Sequence, residues 1–175
     1  MGDSRTGETQ KFDGPYFIMQ WLLRQPRRAI MPVVGHPTMT RVNVVPRDFI
    51  VDAVGYLSGR SVSEGRTYQL ADPHPLTVDE MTDAISEAIG RKLIKVPLPH
   101  KLAKASLAHV PPLYRLMRIP PEAMDYFAHP TFYLTDHCRT DLAGSGIEPP
   151  PFASYVNRLV EYMRRNLDVS SAAML

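Results

Sequence analysis

Proline placement constrains this chain more than any other feature. Seventeen of its 175 residues are proline, about twice the usual share of about 5%. They fall as punctuation at Pro97, Pro99, Pro111-Pro112, Pro120-Pro121, Pro130 and Pro149-Pro150-Pro151. The pyrrolidine ring cannot continue a helix interior, and it biases the preceding residue away from helical geometry. The second half is therefore cut into short pieces. Apolar residues make up 44% and charged residues 22%, the composition of a globular domain with its own core.

Between the prolines the pattern alternates helix and strand. Asp13-Gly14-Pro15 starts a helix, with Asp13 as cap and Pro15 in the first turn. Phe17, Ile18, Trp21 and Leu22 give it a buried face, and Pro26 ends it. "IMPVVG" and "RVNVV" are β-branched runs bounded by turn residues and read as strands joined by the loop "HPTMT". Asp48 is the expected N-cap of a helix carrying Phe49, Ile50, Ala53, Val54 and Leu57. "TYQLAD" (67–72) reads as a strand. Thr77-Val78-Asp79-Glu80 has the form of a capping box, with Leu76 and Met81 placed as a hydrophobic staple. Val78, Met81, Ile85 and Ile89 line one face of that helix, which Gly90 terminates. "KLIKV" (92–96) is a further strand. Helical pieces follow over 99–124, and residues 126–135 suit an extended segment lying on a core. The last helix follows Pro151 with Phe152, Val156, Leu159, Val160 and Met163 buried, and Arg164 and Arg165 suit its C-terminal dipole. Residues 1–167 form the domain, and 168–175 a frayed tail. The class is α/β with a thin sheet.

Several functions are excluded. A net charge of +2, with only the short cluster Arg24, Arg27, Arg28, is too little for a nucleic-acid footprint. The single cysteine, Cys138, rules out an internal disulfide. "FIMQWLL" and "FIVDAVGYL" are too short and polar to span a bilayer, and no apolar signal core opens the chain. The expected location is cytoplasmic. Gly144-Ser145-Gly146 is the only G-x-G, and it runs into three prolines instead of opening a helix that could hold a pyrophosphate. The six histidines show no H-x-x-x-H pair, and His137-Cys138 are adjacent, so their side chains diverge. No Tyr has a Lys four positions later, so the tyrosine acid/base with its pKa-lowering lysine is missing.

Four stretches, "GDSRTGE", "RVNVVPRDFIVDAV", "YQLADPHPLTVDEM" and "GIEPPPFASYVNRLVEYM", follow one another in an order that resembles the C-terminal half of an extended short-chain dehydrogenase/reductase. That group includes NAD-dependent epimerase/dehydratases and thioester reductases. The likeness covers nearly the whole chain. It implies an α/β fold that is the substrate-binding part of a Rossmann-type enzyme, with Met1 at the end of a strand of the parallel sheet. The Gly-rich NAD or NADP loop and the Tyr/Lys pair then belong to an N-terminal half, and this chain alone binds no cofactor and carries no catalytic residue.

In that family an Arg of the R-x-[YF]-[IV]-H-V-x-D segment faces the substrate. Arg41 and Asp48 match, while Asn43 and Val45 replace the aromatic and the His. Arg41, with Asn43 beside it, is thus a candidate for an anionic substrate group, the alternative being a surface ion pair. Tyr16, beside the opening loop, is a candidate for a pocket mouth. Tyr16, Phe17, Met19, Trp21 and the Leu/Met-rich pieces of 102–124 could line an apolar or acyl pocket, or simply form core. The expected partner is a small-molecule substrate. Exposed apolar surface where a sheet should continue would favour a homodimer. The alternative is a free-standing, non-catalytic module that binds an acyl or other apolar ligand or a partner protein.

Overall fold

The computed structural model describes residues 1–98 and 132–169. The chain folds as α1 (Pro15–Leu23), β1 (Arg28–Val34), α2 (Arg47–Ser58), a single 3-10 turn (Ser61–Ser63), α3 (Val78–Ile89), β2 (Lys92–Leu98), α4 (Asp136–Asp141) and α5 (Phe152–Arg165). The helical pieces expected over 99–124 and the first part of the 126–135 segment lie outside the described residues. Within that segment Phe132, Tyr133 and Leu134 face solvent instead of lying on a core.

β1 and β2 pair in parallel, Arg28 opposite Lys92, Ile30 opposite Ile94 and Pro32 opposite Val96. Parallel strands need a long crossover, and here it contains α2 and α3. Ala29, Met31 and Leu93 point inward to α1, α3 and α5, where Met19, Leu22, Ile85 and Leu159 are fully buried. Lys95, also inward-facing, reaches Asp79 at 2.6 Å and Asp83 at 2.8 Å on α3. Partial burial pulls its ammonium pKa down, but the two carboxylates outweigh that and hold it above the ordinary lysine value.

A second, smaller core joins Phe49, Ala53 and Leu57 of α2 to Cys138 and Leu142 at α4. Asp141 anchors the chain before α3 to it: Tyr68 donates to its carboxylate at 2.6 Å and Arg66 at 2.9 Å.

α3 forms as its sequence dictates. Thr77 Oγ1 accepts from Glu80 N at 3.1 Å, and Glu80 Oε2 accepts from Thr77 N at 2.8 Å, so orphan donors are satisfied reciprocally. Leu76 and Met81 enter the same core, and Gly90 closes the helix at φ 73°. Arg164 of α5 donates to Ile89 O at 2.9 Å, placing a cation on the carbonyl end of α3.

Four local expectations are corrected. Neither 41–45 nor 67–72 is a strand: one isolated bridge, Arg41 with Thr77, stands there. The β-branched run is held by a side chain instead, because Asn43 Nδ2 donates to Asp72 O at 2.8 Å and Asn43 Oδ1 accepts from Asp72 N at 2.9 Å. Asp48 does not cap α2. Pro46 occupies the N-cap without a side-chain bond, and Asp48 lies inside the first turn. Asp13 does not cap α1 either: Gly14 stands there, and Asp13 pairs with Lys11 at 3.1 Å.

Thr77→Ala is expected to destabilise the chain by about 1 kcal/mol, read as a lower denaturation midpoint with an unchanged slope. An unchanged midpoint would mean that the capping box contributes nothing.

Candidate functional site

The opening loop is built on itself and then clamped. Asp3 Oδ1 accepts from Arg5 N at 2.9 Å and Thr6 N at 3.1 Å, an Asx-type turn. Asp3 O accepts from Gly7 N at 2.8 Å, and Asp3 N donates to Glu8 O at 2.9 Å. Burial pushes the Asp3 carboxyl pKa up, but the two amide bonds and the Arg5 guanidinium prevail and hold it below the usual carboxylate range.

Asp48 takes this loop from α2. Its Oδ1 accepts from Ser4 N at 2.8 Å and its Oδ2 from Ser4 Oγ at 2.5 Å. In the first turn of α2 the carboxylate also benefits from the helix dipole. Met1 N donates to Val45 O at 3.0 Å and Arg47 N to Gly2 O at 3.2 Å, so residues 1–2 run alongside 45–47. Arg158 of α5 donates to Ser4 O at 3.2 Å. Gly7, at φ 78°, lies so close to α5 that a Cβ would stand 2.2 Å from Arg158 O. Only glycine meets both demands.

The residues expected to form a site are placed as follows. Tyr16 is fully buried, its ring 5.1 Å from that of Phe12, and its hydroxyl accepts from Gly2 N at 3.0 Å. That hydroxyl therefore supports the loop from below and does not stand at a pocket mouth. Phe17, Met19 and Trp21 are likewise core residues. Arg41 is exposed, with Nη1 donating to Pro75 O at 2.7 Å. Asn43 is committed to Asp72 through both ends of its amide. Arg41 and Asn43 thus converge on the single segment 72–75, while Tyr16 belongs to the loop.

Sequence reasoning missed Ser4, Gly7, Asp72 and Tyr155. The Tyr155 hydroxyl is buried without a hydrogen-bond partner among the described residues. Burial, with the charges of Asp72 and Asp48 adding to it, drives its pKa far above the ordinary phenol value. Burial likewise raises Tyr16. Burial therefore favours the neutral form of both phenols.

A cavity of about 770 Å³ opens beside this region, between segment 71–76, α4 and the start of α5. Phe49, Leu76, Leu142, Ile147 and Phe152 give it apolar walls, with Asp72, His74 and Arg139 at polar positions. Cys138 lies in its wall, and burial raises the pKa of that thiol. Arg41, Asn43 and Tyr16 do not line it. Among the described residues no cluster of His, Cys, Asp and Glu is placed to hold a metal.

The residues described do not fit a dinucleotide. A pyrophosphate cradle leaves a strand and opens a helix, whereas Gly144 and Gly146 follow α4 and lead through three prolines to α5. β1 runs into Gly35-His36-Pro37 and no helix follows there.

The architecture is a partial Rossmann-like α/β fold with a short parallel sheet. It is shared with the terminal R (reductase) domain from the myxalamid PKS-NRPS biosynthetic pathway at a TM-score of 0.67 and 22% identity, over 95% of this chain and 41% of that one. It is shared with gox2253 at a TM-score of 0.53 and 18% identity, over 85% of this chain and 42% of that one. The chain thus spans about two fifths of the length of these solved chains. At such identities the likeness shows the fold. No protein-family model and no curated protein matches the chain. No described helix is long and apolar enough to cross a membrane.

The depressed Asp3 carboxyl carries a pH signature. Because its folded pKa lies below its unfolded value, the stability it contributes is present above the unfolded value of about 3.9 and is lost as pH falls through the folded one. Asp3→Asn is therefore expected to melt lower than the parent at pH 7, with the gap narrowing below about pH 4. A gap of constant size across that range would show that the carboxylate charge is not what holds the loop.

Proposed function

We propose that this chain is the substrate-binding part of an NAD(P)-dependent oxidoreductase of the extended short-chain type, acting on a carbonyl, alcohol or thioester carbon. The observation that carries this reading is the match of 95% of the chain to part of a reductase domain. The clamped opening loop supports it. Residues 1–2 already run beside 45–47 with backbone bonds, as the end of a strand would in a larger parallel sheet. NAD or NADP, with the acid/base that serves it, is then held by a preceding portion. The chain's own share is to shape the pocket over the reacting carbon. Arg41 meets an anionic group of the substrate with the guanidinium nitrogens that Pro75 does not use, Asn43 fixes the segment beneath it, and Tyr16 sets the loop.

A second reading, a non-catalytic module for an apolar or acyl ligand, is favoured by one observation: the cavity is lined by this chain's own apolar side chains. The two readings part on a chimera that joins the cofactor-binding portion of the myxalamid R domain to Met1. We expect it to bind NADPH, seen as enhanced nicotinamide fluorescence, and to oxidise it with a thioester or aldehyde. Arg41→Gln should raise KM for an anionic substrate about tenfold, the loss of one charge-assisted contact, with kcat retained. A chimera that melts cooperatively yet binds no NADPH would contradict the proposal and leave the module reading.

A further inference from the structure

One wall of the cavity is held in place by side chains. α4 is six residues long and gives Cys138 and Arg139 to the lining, with Thr135 and Leu142 at its ends, while residues 71–76 form the facing wall. The stretch 64–76 contains no helix or strand. Among the described residues no backbone–backbone bond joins it to α4. Asp141 makes the connection. Its carboxylate, 6% exposed, accepts from the Tyr68 hydroxyl at 2.6 Å and from Arg66 Nη1 at 2.9 and 3.1 Å. His137 Nδ1 lies 3.2 Å from Thr67 O. Positions 137 and 141 are one turn apart on the same side of α4, so together they hold three consecutive residues of the stretch.

Three features make α4 a wall that can move. A helix of six residues has little stability of its own. Its apolar footing is the smaller core, where Cys138 and Leu142 meet Phe49, Ala53 and Leu57 of α2. Beyond it the chain turns at Gly144 and Gly146, at φ 78° and 74°, with open space where a Cβ would stand. Residues at the end of an element are the ones that absorb the backbone change of a hinge. The facing wall, by contrast, is tied to the rest of the fold: Asn43 bonds Asp72 through both ends of its amide, and Arg41 bonds Pro75 O. Asp141 therefore fastens a movable wall to a fixed one. Bonds to a nearly buried charge are strong, which makes the lifted position of α4 a minor state.

We infer that α4 is a hinged wall of the cavity, latched by Asp141, and that an apolar molecule in the cavity favours the same latched position. The second half rests on the reading of the cavity as an apolar-ligand site. Asp141 does not line the cavity, so it is a positioning residue that acts through α4. The reporter is built in. Cys138 is the single cysteine and is 4% exposed, packed between α4 and α2, so the rate at which N-ethylmaleimide labels the full chain follows the lifting of α4. Asp141→Asn and Tyr68→Phe should each speed labelling about tenfold, the loss of a bond to a charged group. Tyr68→Phe changes no charge and so leaves the intrinsic reactivity of the thiol alone. Thr77→Ala weakens α3 in the other core and should leave the rate within about twofold of the parent. Unchanged rates in both latch variants would overturn the inference. So would an equal acceleration in Thr77→Ala, because Cys138 would then react only through unfolding of the whole chain. Added n-decanol should slow labelling of the parent saturably. Acceleration by the latch variants without protection by n-decanol would keep the hinged wall and count against the apolar-ligand reading instead.

Discussion

The structure turns on one carboxylate. Asp48 receives both the backbone N–H and the hydroxyl of Ser4, and in doing so it joins the opening loop to the first turn of α2. Everything around that clamp follows from it. Gly2 is brought over the Tyr16 hydroxyl, Gly7 is pressed on Arg158 of α5, and residues 1–2 are laid beside 45–47. A loop outside regular secondary structure satisfies only part of its polar backbone through its own backbone bonds and leaves the rest to side chains. Here Asp3 does so from inside the loop and Asp48 from outside.

The clamp also links the two cores. α1 and α5 belong to the main core under the β1–β2 sheet, while α2 and α4 share the smaller one. The loop touches α1 through Tyr16, α5 through Arg158 and α2 through Asp48, and the Asn43–Asp72 amide pair sets the next segment beside it. Arg41 is presented at the rim of this assembly by the Pro75 carbonyl. Arg41, the exposed cationic candidate, thus takes its place from a backbone carbonyl.

What was legible in the sequence was local. The capping box of α3, its Gly90 stop, the buried stripe of α5 and the runs 30–35 and 92–96 are all encoded within a few residues of where they act, and each stands in the fold. Signals that depend on distant partners were misread. Asp48 has the sequence look of an N-cap, yet its partner is Ser4, more than forty residues away. "RVNVV" has strand composition, yet Asn43 replaces the ladder with a side-chain amide. Tyr16 beside a polar loop suggested a pocket mouth, whereas its hydroxyl is needed by Gly2 N in the core. The parallel pairing of β1 with β2 was not legible either, since nothing in a β-branched run names its neighbour across a long crossover. The Asp3 turn could have been found: Asp followed by Ser-Arg-Thr-Gly offers the amides that an Asx turn collects.

The proposal that this chain supplies the substrate side of a cofactor-dependent enzyme has one direct test. The most direct measurement is the intact mass and N-terminal sequence of the native protein isolated from its source cells. A longer polypeptide is expected, with a Gly-rich phosphate loop and a Tyr/Lys pair upstream of the Asp3 turn. A native protein that starts at Met1 would contradict it and leave the apolar cavity, with no hydride chemistry, as the place to look for function.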